Sequence, residues 1–145
     1  MHLEGTLEPE LLFELAQRNG IELDYATPAD VVAAYDFHDL PSFLAIYYKA
    51  MDVLRTKQDF YDLAMEYFQK AAAQNVIYVE PFFDPQAHTS RGVEFGVVIE
   101  GIHEAQLDAA DKLGVHSNLI MCFLRDMDAE SARLHLQMAE SYLDW

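Results

Sequence analysis

Two stretches of this chain carry side chains that could bind a metal ion or a polar ligand: residues 1–9, MHLEGTLEP, and residues 82–88, FFDPQAH. His2 comes where a short strand gives way to a helix, and an imidazole at the carboxyl end of such a strand can bind a metal ion. Asp84 follows a second strand at the same end, where α/β sheets usually bind their ligands. The pattern therefore favours a site at the ends of these strands.

The same residues also have ordinary structural explanations. One histidine among six does not define a metal site. Asp84 and Pro85 could simply terminate the strand by turn chemistry, and His88 is then expected to be a solvated loop residue. Residue type and spacing alone leave both explanations open.

Apolar strands that alternate with helical segments predict an α/β fold. Buried strands are predicted at residues 76–83 and about 118–124, after a short strand at His2. A first helix is predicted at about residues 7–18 with Thr6 as its N-cap, and a short helix begins at residue 28. Further helices are predicted at residues 40–53, 60–71, 94–113 and 129–142. This alternation favours parallel strand pairing, because each crossover helix covers one face of the sheet. Pro81 puts the regularity of its strand in doubt, since it cannot donate a ladder hydrogen bond.

Length and composition predict one domain, residues 1–145, with a real hydrophobic core, since 52% of the residues are hydrophobic. The net charge of -16 argues against nucleic acid as a partner. No apolar run reaches the ~18 residues of a membrane span and no leader precedes His2, so a cytoplasmic protein without a membrane partner is expected. Cys122, the single cysteine, lies in an apolar run and is expected to be a small buried side chain.

Over essentially the whole chain, MHLEGTLEP, FFDPQAH and the intervening helices resemble the adenosine/adenine deaminase family of zinc-dependent amidohydrolases. FFDPQAH is similar to the adenine-using branch. In that family a His-x-His pair ends the first strand of an eight-fold barrel, and only its second histidine, His2, has a counterpart here. The resemblance implies the amino-terminal segment of a partial TIM-type (β/α) barrel, with about three of eight βα units and a helical insert after the first strand.

The resemblance also implies roles for individual residues. His2 would be a ligand of Zn2+, and Glu4 would face the substrate where the adenosine enzymes usually carry aspartate. Phe43, Leu44 and Tyr47 would form a gate over the purine, although a helical stripe with this spacing is equally well explained as core. The substrate-binding residues implied in this way are Glu4, Gly5, Phe43, Leu44, Tyr47, Phe83 and Asp84.

For the parent enzyme the resemblance implies zinc-dependent hydrolytic deamination of adenine to hypoxanthine and ammonia, a step of purine salvage, with adenosine as the alternative substrate. The family's first histidine of the pair, its later histidines, its catalytic glutamate and its aspartate ligand have no counterpart in these residues. One zinc ligand of four cannot hold a catalytic metal, so the 145 residues alone are expected to be inactive.

Two other interpretations stay open. The chain could be a non-catalytic assembly or purine-binding fragment, because three parallel strands leave two edges with unpaired backbone groups. That interpretation predicts a homo-oligomer or association with the missing part of the barrel. An ordinary small α/β domain would instead have a central sheet covered on both faces within this chain.

Overall fold

The computed structural model describes residues 1–145 as an α/β fold with seven α-helices and four two-residue strands. The helices are α1 (Pro9–Asn19), α2 (Pro28–Ala34), α3 (Leu40–Ala50), α4 (Lys57–Ala73), α5 (Pro85–Thr89), α6 (Phe95–Leu113) and α7 (Ala129–Ala139). The strands are β1 (Tyr78–Val79), β2 (Phe82–Phe83), β3 (His116–Ser117) and β4 (Ile120–Met121). None of the helices combines the length and apolar character needed to cross a bilayer.

Two segments of the chain pair in parallel, and the hydrogen bonding between them is interrupted in the middle. β1 pairs with β3 and β2 pairs with β4. The backbone N–H of Ile120 donates to the carbonyl of Pro81 at 3.0 Å, and the N–H of Cys122 donates to the carbonyl of Phe83 at 2.9 Å. Pro81 has no N–H with which to return a hydrogen bond, so the ladder breaks at this residue, as its position in the sequence predicts.

The amino terminus lies beside β2. His2 forms a parallel bridge with Phe82, and the Phe82 N–H donates to the Met1 carbonyl at 2.8 Å. The predicted first strand is reduced to this single bridge, because the chain turns into a 3-10 helix at Leu3. The segments at residues 2, 82 and 120 therefore lie side by side in the order in which they occur along the chain. The number of βα units in the parent protein stays a prediction.

Helix boundaries follow capping chemistry at most positions. Gly20 adopts the left-handed conformation (φ 64°) and ends α1, as the sequence predicts. The prediction that Thr6 caps this helix is wrong, because its hydroxyl donates to the Leu3 carbonyl within the 3-10 turn at 2.7 Å. The helix begins at Pro9, which is favourable in a first turn because it needs no N–H acceptor.

Only one face of the strands is covered by the helices. Phe83 belongs to a core cluster of 22 buried side chains, and Val79 and Met121 pack against that cluster. On the opposite face the side chains of Tyr78 and Ile120 are 49% and 38% exposed. The interpretation as an ordinary small domain with both sheet faces covered is therefore not supported.

Gly101 allows α4 and α6 to pack closely, and we expect Gly101→Ala to lower the free energy of unfolding by about 2 kcal/mol. A Cβ atom at this position would lie 2.4 Å from the Lys57 carbonyl oxygen and 2.8 Å from the Phe60 Cβ, so the helices would have to separate. Urea denaturation measures the change. Gly96→Ala on the same helix is the control, because its added Cβ would meet only the ends of the Tyr142 and Glu100 side chains; equal losses in the two variants would contradict the expectation.

Candidate functional site

His2, Asp84 and Cys122 meet at the carboxyl ends of the strands. Asp84 follows β2 directly and Cys122 follows β4, while His2 lies beside them on the amino-terminal segment. One potential ligand atom from each of the three residues lies within 4.8 Å of the others. Cys122 is only partly buried, so the sequence-based expectation of a simple core cysteine misses its position in this cluster. Burial, together with the charges of Asp84 and Glu4, raises the pKa of the Cys122 thiol and favours its neutral form.

His2 and Asp84 form a short hydrogen bond, with 2.5 Å between His2 Nδ1 and Asp84 Oδ2. Two ligand atoms bound to one zinc ion at 2.0–2.2 Å in tetrahedral geometry would lie about 3.3 Å apart, so this pair fits a hydrogen bond and not a shared metal. Burial and the charge of Glu4 raise the pKa of Asp84, and the contacts with His2 and His88 oppose that rise. Because Nδ1 is engaged, Nε2 is the His2 nitrogen left for a metal ion.

Glu4 is buried beside this pair, with 4% of its surface exposed. Its Oε1 atom accepts a hydrogen bond from the Asp84 backbone N–H at 2.8 Å and lies 3.2 Å from His88 Nε2. Burial alone would raise the pKa of Glu4, but the hydrogen bonds from His88 and from the Asp84 N–H outweigh it, so the pKa is lowered. Its second oxygen, Oε2, is buried without a partner, which leaves one acceptor of an ionised carboxylate available.

The expectation that His88 is a solvated loop residue is wrong. The residues after Asp84 form the short helix α5, in which Pro85 occupies the first turn, and His88 is 1% exposed on that helix. The Asp84-Pro85 sequence could have indicated this helix, since proline is favourable at a helix start. A histidine four residues after the aspartate then lies one turn along the helix from it.

Aromatic residues of α3 border the cluster near Gly5. A Cβ added to Gly5 would lie 3.5 Å from Cε2 of Tyr47, so the backbone lies close to that ring. Tyr47 stacks on Phe43 with 5.5 Å between ring centroids. Burial and the charges of Glu4 and Asp84 raise the pKa of Tyr47, so its hydroxyl stays neutral. Leu44 is half-buried on the same helix, and its predicted role as a gate residue stays a prediction.

Phe83 points away from this cluster and into the core. Its side chain is 2% exposed and faces an apolar cavity of about 300 Å³ between the strands and α6 and α7. All 11 residues that line the cavity are hydrophobic, among them Phe95, Met121 and Trp145. The geometry therefore favours a packing role for Phe83 over the predicted substrate contact, and the cavity offers no side chain that could carry out chemistry.

Comparison with known proteins gives consistent matches along the chain. The family model for adenosine deaminase matches residues 1–144. Among curated relatives, the adenine deaminase of Vibrio parahaemolyticus is 51% identical over 99% of this chain and 43% of its own length. The adenine deaminase of Streptomyces coelicolor is 55% identical over 99% of this chain and 42% of its own length.

Solved structures show the same likeness. The adenine deaminase of Arthrobacter aurescens is 46% identical with a TM-score of 0.94, over 98% of this chain and 43% of that structure. An amidohydrolase from Burkholderia ambifaria with bound zinc is 26% identical with a TM-score of 0.83, over 97% of this chain and 38% of that structure. The chain thus spans less than half the length of the relatives it matches, and it belongs to the adenosine deaminase family.

Proposed function

We propose that the parent protein of this chain converts adenine and water to hypoxanthine and ammonia. The observation that carries the proposal is the cluster at the strand ends, where His2 has one nitrogen left for a metal ion and Glu4 has one buried oxygen left for a ligand. The relatives over 98–99% of the chain that are named adenine deaminase support the same substrate. The cytoplasmic location expected from the composition stays a prediction.

The imidazole of His2 is suited to be one ligand of a zinc ion, which the relative from Burkholderia ambifaria contains. His2 would bind it through Nε2, because Asp84 accepts the hydrogen bond of Nδ1 and so orients the ring. Zinc, when bound, would supply the nucleophile by making a water molecule more acidic near neutral pH. A single imidazole is not enough for a catalytic zinc, so the remaining ligands would come from the rest of the parent protein.

Tyr47 and Phe43 would cover the flat face of the purine. Their stacked rings lie next to Gly5, where the backbone has no side chain to obstruct a ligand. Stacked aromatic rings offer a large apolar contact area to a heterocycle. The neutral hydroxyl of Tyr47 adds no charge to a site that already contains Glu4 and Asp84.

Glu4 favours the free base over the nucleoside. Adenine carries an imidazole-ring N–H at the nitrogen that bears ribose in adenosine, and that N–H can donate to the unpartnered Oε2 of Glu4. A site whose buried acceptor needs a donor discriminates strongly against a ligand that lacks one. Adenosine offers no N–H at this position.

The experiment is a comparison of adenine and adenosine as substrates of the intact parent protein, followed by hypoxanthine or inosine formation and ammonia release. We expect a kcat/KM at least about 100-fold higher for adenine. The 145-residue chain assayed in parallel with added zinc should show no turnover, because it supplies only one histidine ligand. Preference for adenosine, or turnover by the isolated chain, would contradict the proposal.

A further inference from the structure

Two buried polar side chains, Glu4 and His88, and the half-buried Arg91 form a continuous row behind the candidate site. Glu4 Oε1 lies 3.2 Å from His88 Nε2, and His88 Nδ1 lies 2.8 Å from Nη2 of Arg91. The side chains of Glu4 and His88 are 2% and 1% exposed, and that of Arg91 is 18% exposed. The row therefore runs from the half-buried Arg91 through the buried His88 to Glu4, which borders the cluster.

The chemistry of Arg91 determines which nitrogen of His88 carries the proton. A guanidinium group has only donors, so Nδ1 of His88 must accept from Arg91. A neutral imidazole with one accepting nitrogen carries its proton on the other, and Nε2 therefore donates to Glu4 Oε1. Glu4, as an ionised carboxylate, can only accept at Nε2 and so requires the same tautomer.

The surroundings hold the row in one geometry. Nε of Arg91 donates to the Ala87 carbonyl at 3.0 Å, and its Nη2 also reaches the Leu54 carbonyl at 3.5 Å. The His88 ring meets the ring of Phe60 edge to face, with 4.8 Å between centroids. Neither ring nor guanidinium can turn without losing these contacts.

Two donors therefore converge on one oxygen of Glu4. The Asp84 backbone N–H and His88 Nε2–H both donate to Oε1. The carboxylate cannot rotate without breaking both hydrogen bonds, and its Oε2 stays directed away from them with no partner of its own. A buried charged acceptor of this kind needs a donor, which a bound ligand can supply.

We infer that His88 and Arg91 are positioning residues for substrate binding: Arg91 holds the His88 ring through a hydrogen bond to Nδ1, and His88 holds Glu4 so that Oε2 accepts the ring N–H of a purine base. The inference rests on the proposed function, because it takes Glu4 as the substrate contact. It adds two residues that touch neither the substrate nor the metal. Their effect on catalysis therefore passes through the orientation of Glu4.

The test uses the intact parent protein with adenine as the probe. We expect His88→Ala to raise the KM for adenine roughly tenfold while kcat changes little, because a lost hydrogen bond to a charged group weakens binding by about that factor. His88→Gln should recover most of the affinity, since its side-chain N–H can replace Nε2–H as the donor to Glu4. Equal KM values for the alanine and glutamine variants would overturn the inference.

The second measurement is the ¹⁵N NMR spectrum of the His88 ring in the same protein. The wild type should show the Nε2–H tautomer with Nδ1 accepting a hydrogen bond, and Arg91→Met should move the Nδ1 resonance toward that of a nitrogen without a hydrogen bond, together with a raised KM. An unchanged Nδ1 resonance in Arg91→Met would overturn the role of Arg91. The control is His135→Gln, because His135 is also buried but bonds to Thr89 and Ser131 and not to Glu4; a KM shift as large as that of His88→Ala would count against the inference.

The two measurements separate the inference from the proposed function. If the wild-type protein neither binds nor deaminates adenine, the proposed function is wrong whatever the tautomer of His88. If adenine is deaminated but the Nδ1 resonance and the KM values do not respond as expected, only the role of His88 and Arg91 is wrong.

Discussion

Replacing Asp59 with alanine is expected to lower the free energy of unfolding by about 3 kcal/mol. The carboxylate is fully buried and caps α4. It accepts from the backbone N–H groups of Arg55 at 3.0 Å and Thr56 at 2.8 Å, and from the side chains of Asn19 at 2.8 Å and Arg18 at 3.0 Å. Its loss leaves buried donors unpaired and disconnects α1 from the start of α4. Urea denaturation at neutral pH measures the effect.

The effect of this substitution should depend on pH. Burial alone would raise the pKa of Asp59, but its hydrogen bonds from Thr56, Arg55 and Asn19 lower it on balance. A carboxyl group whose pKa is lower in the folded state stabilises the fold above its unfolded pKa of about 3.9, and this contribution is lost as the pH falls through the folded pKa. The difference in unfolding free energy between wild type and Asp59→Ala should therefore be constant near neutral pH and shrink below about pH 4.

Asp62→Ala is the matched control for Asp59. Asp62 lies on the same helix and also binds Arg18, at 2.7 Å, but its side chain remains 22% exposed. A partly exposed ion pair contributes less than about 1 kcal/mol, so this variant should stay close to wild type. A loss in Asp62→Ala as large as that in Asp59→Ala would show that the charge of Arg18, and not the buried cap, determines the effect.

If the proposed function is right, replacing His2 with alanine is expected to weaken the proposed zinc binding by the intact parent protein by more than about 100-fold, with a corresponding loss of the proposed deamination. The reason is that His2 Nε2 is the imidazole nitrogen that this chain leaves available at the cluster. Asp84→Ala should weaken zinc binding by about 10- to 100-fold, because the His2 ring loses the hydrogen bond that orients it. The fraction of zinc that each variant retains in the presence of a competing chelator measures its zinc affinity independently of its activity.

The control for His2 is His116→Ala. His116 lies on β3, and its side chain is exposed. β3 precedes β4 along the chain, and His116 is not part of the cluster at the carboxyl end of β4. Its removal should leave the zinc affinity unchanged. Full zinc retention in His2→Ala would show that His2 is not a ligand and would remove the main support for the metal site.

Local structure was predictable where one residue determines it through backbone chemistry. Gly20 and Gly114 end α1 and α6 in the left-handed conformation, because glycine has no Cβ to oppose it. Thr27 caps α2 through a hydrogen bond to a backbone N–H within the next turn. Pro81 interrupts the strand ladder because its ring nitrogen carries no hydrogen to donate. Such effects act within a few residues, so the sequence alone is sufficient to locate them.

Parts of the candidate site were also accessible from the sequence. The resemblance of MHLEGTLEP and FFDPQAH to the family identified His2, Glu4 and Asp84, and the structure brings these three together at the strand ends. Periodicity could not determine which strand residues face the helices. Phe83 and Asp84 are neighbours in sequence, but strand alternation sends Phe83 into the core and leaves Asp84 at the cluster.

The sequence by itself determined the α/β class and most helix ends, and its resemblance to the family predicted His2, Glu4 and Asp84 as members of one candidate site. The tertiary structure alone decided that Cys122 lies beside Asp84 and that His88 is a buried partner of Glu4. His88 and Glu4 are 84 residues apart. Their contact depends on the parallel register between the amino terminus and β2, which packing of the whole chain sets and which no local pattern of residues encodes.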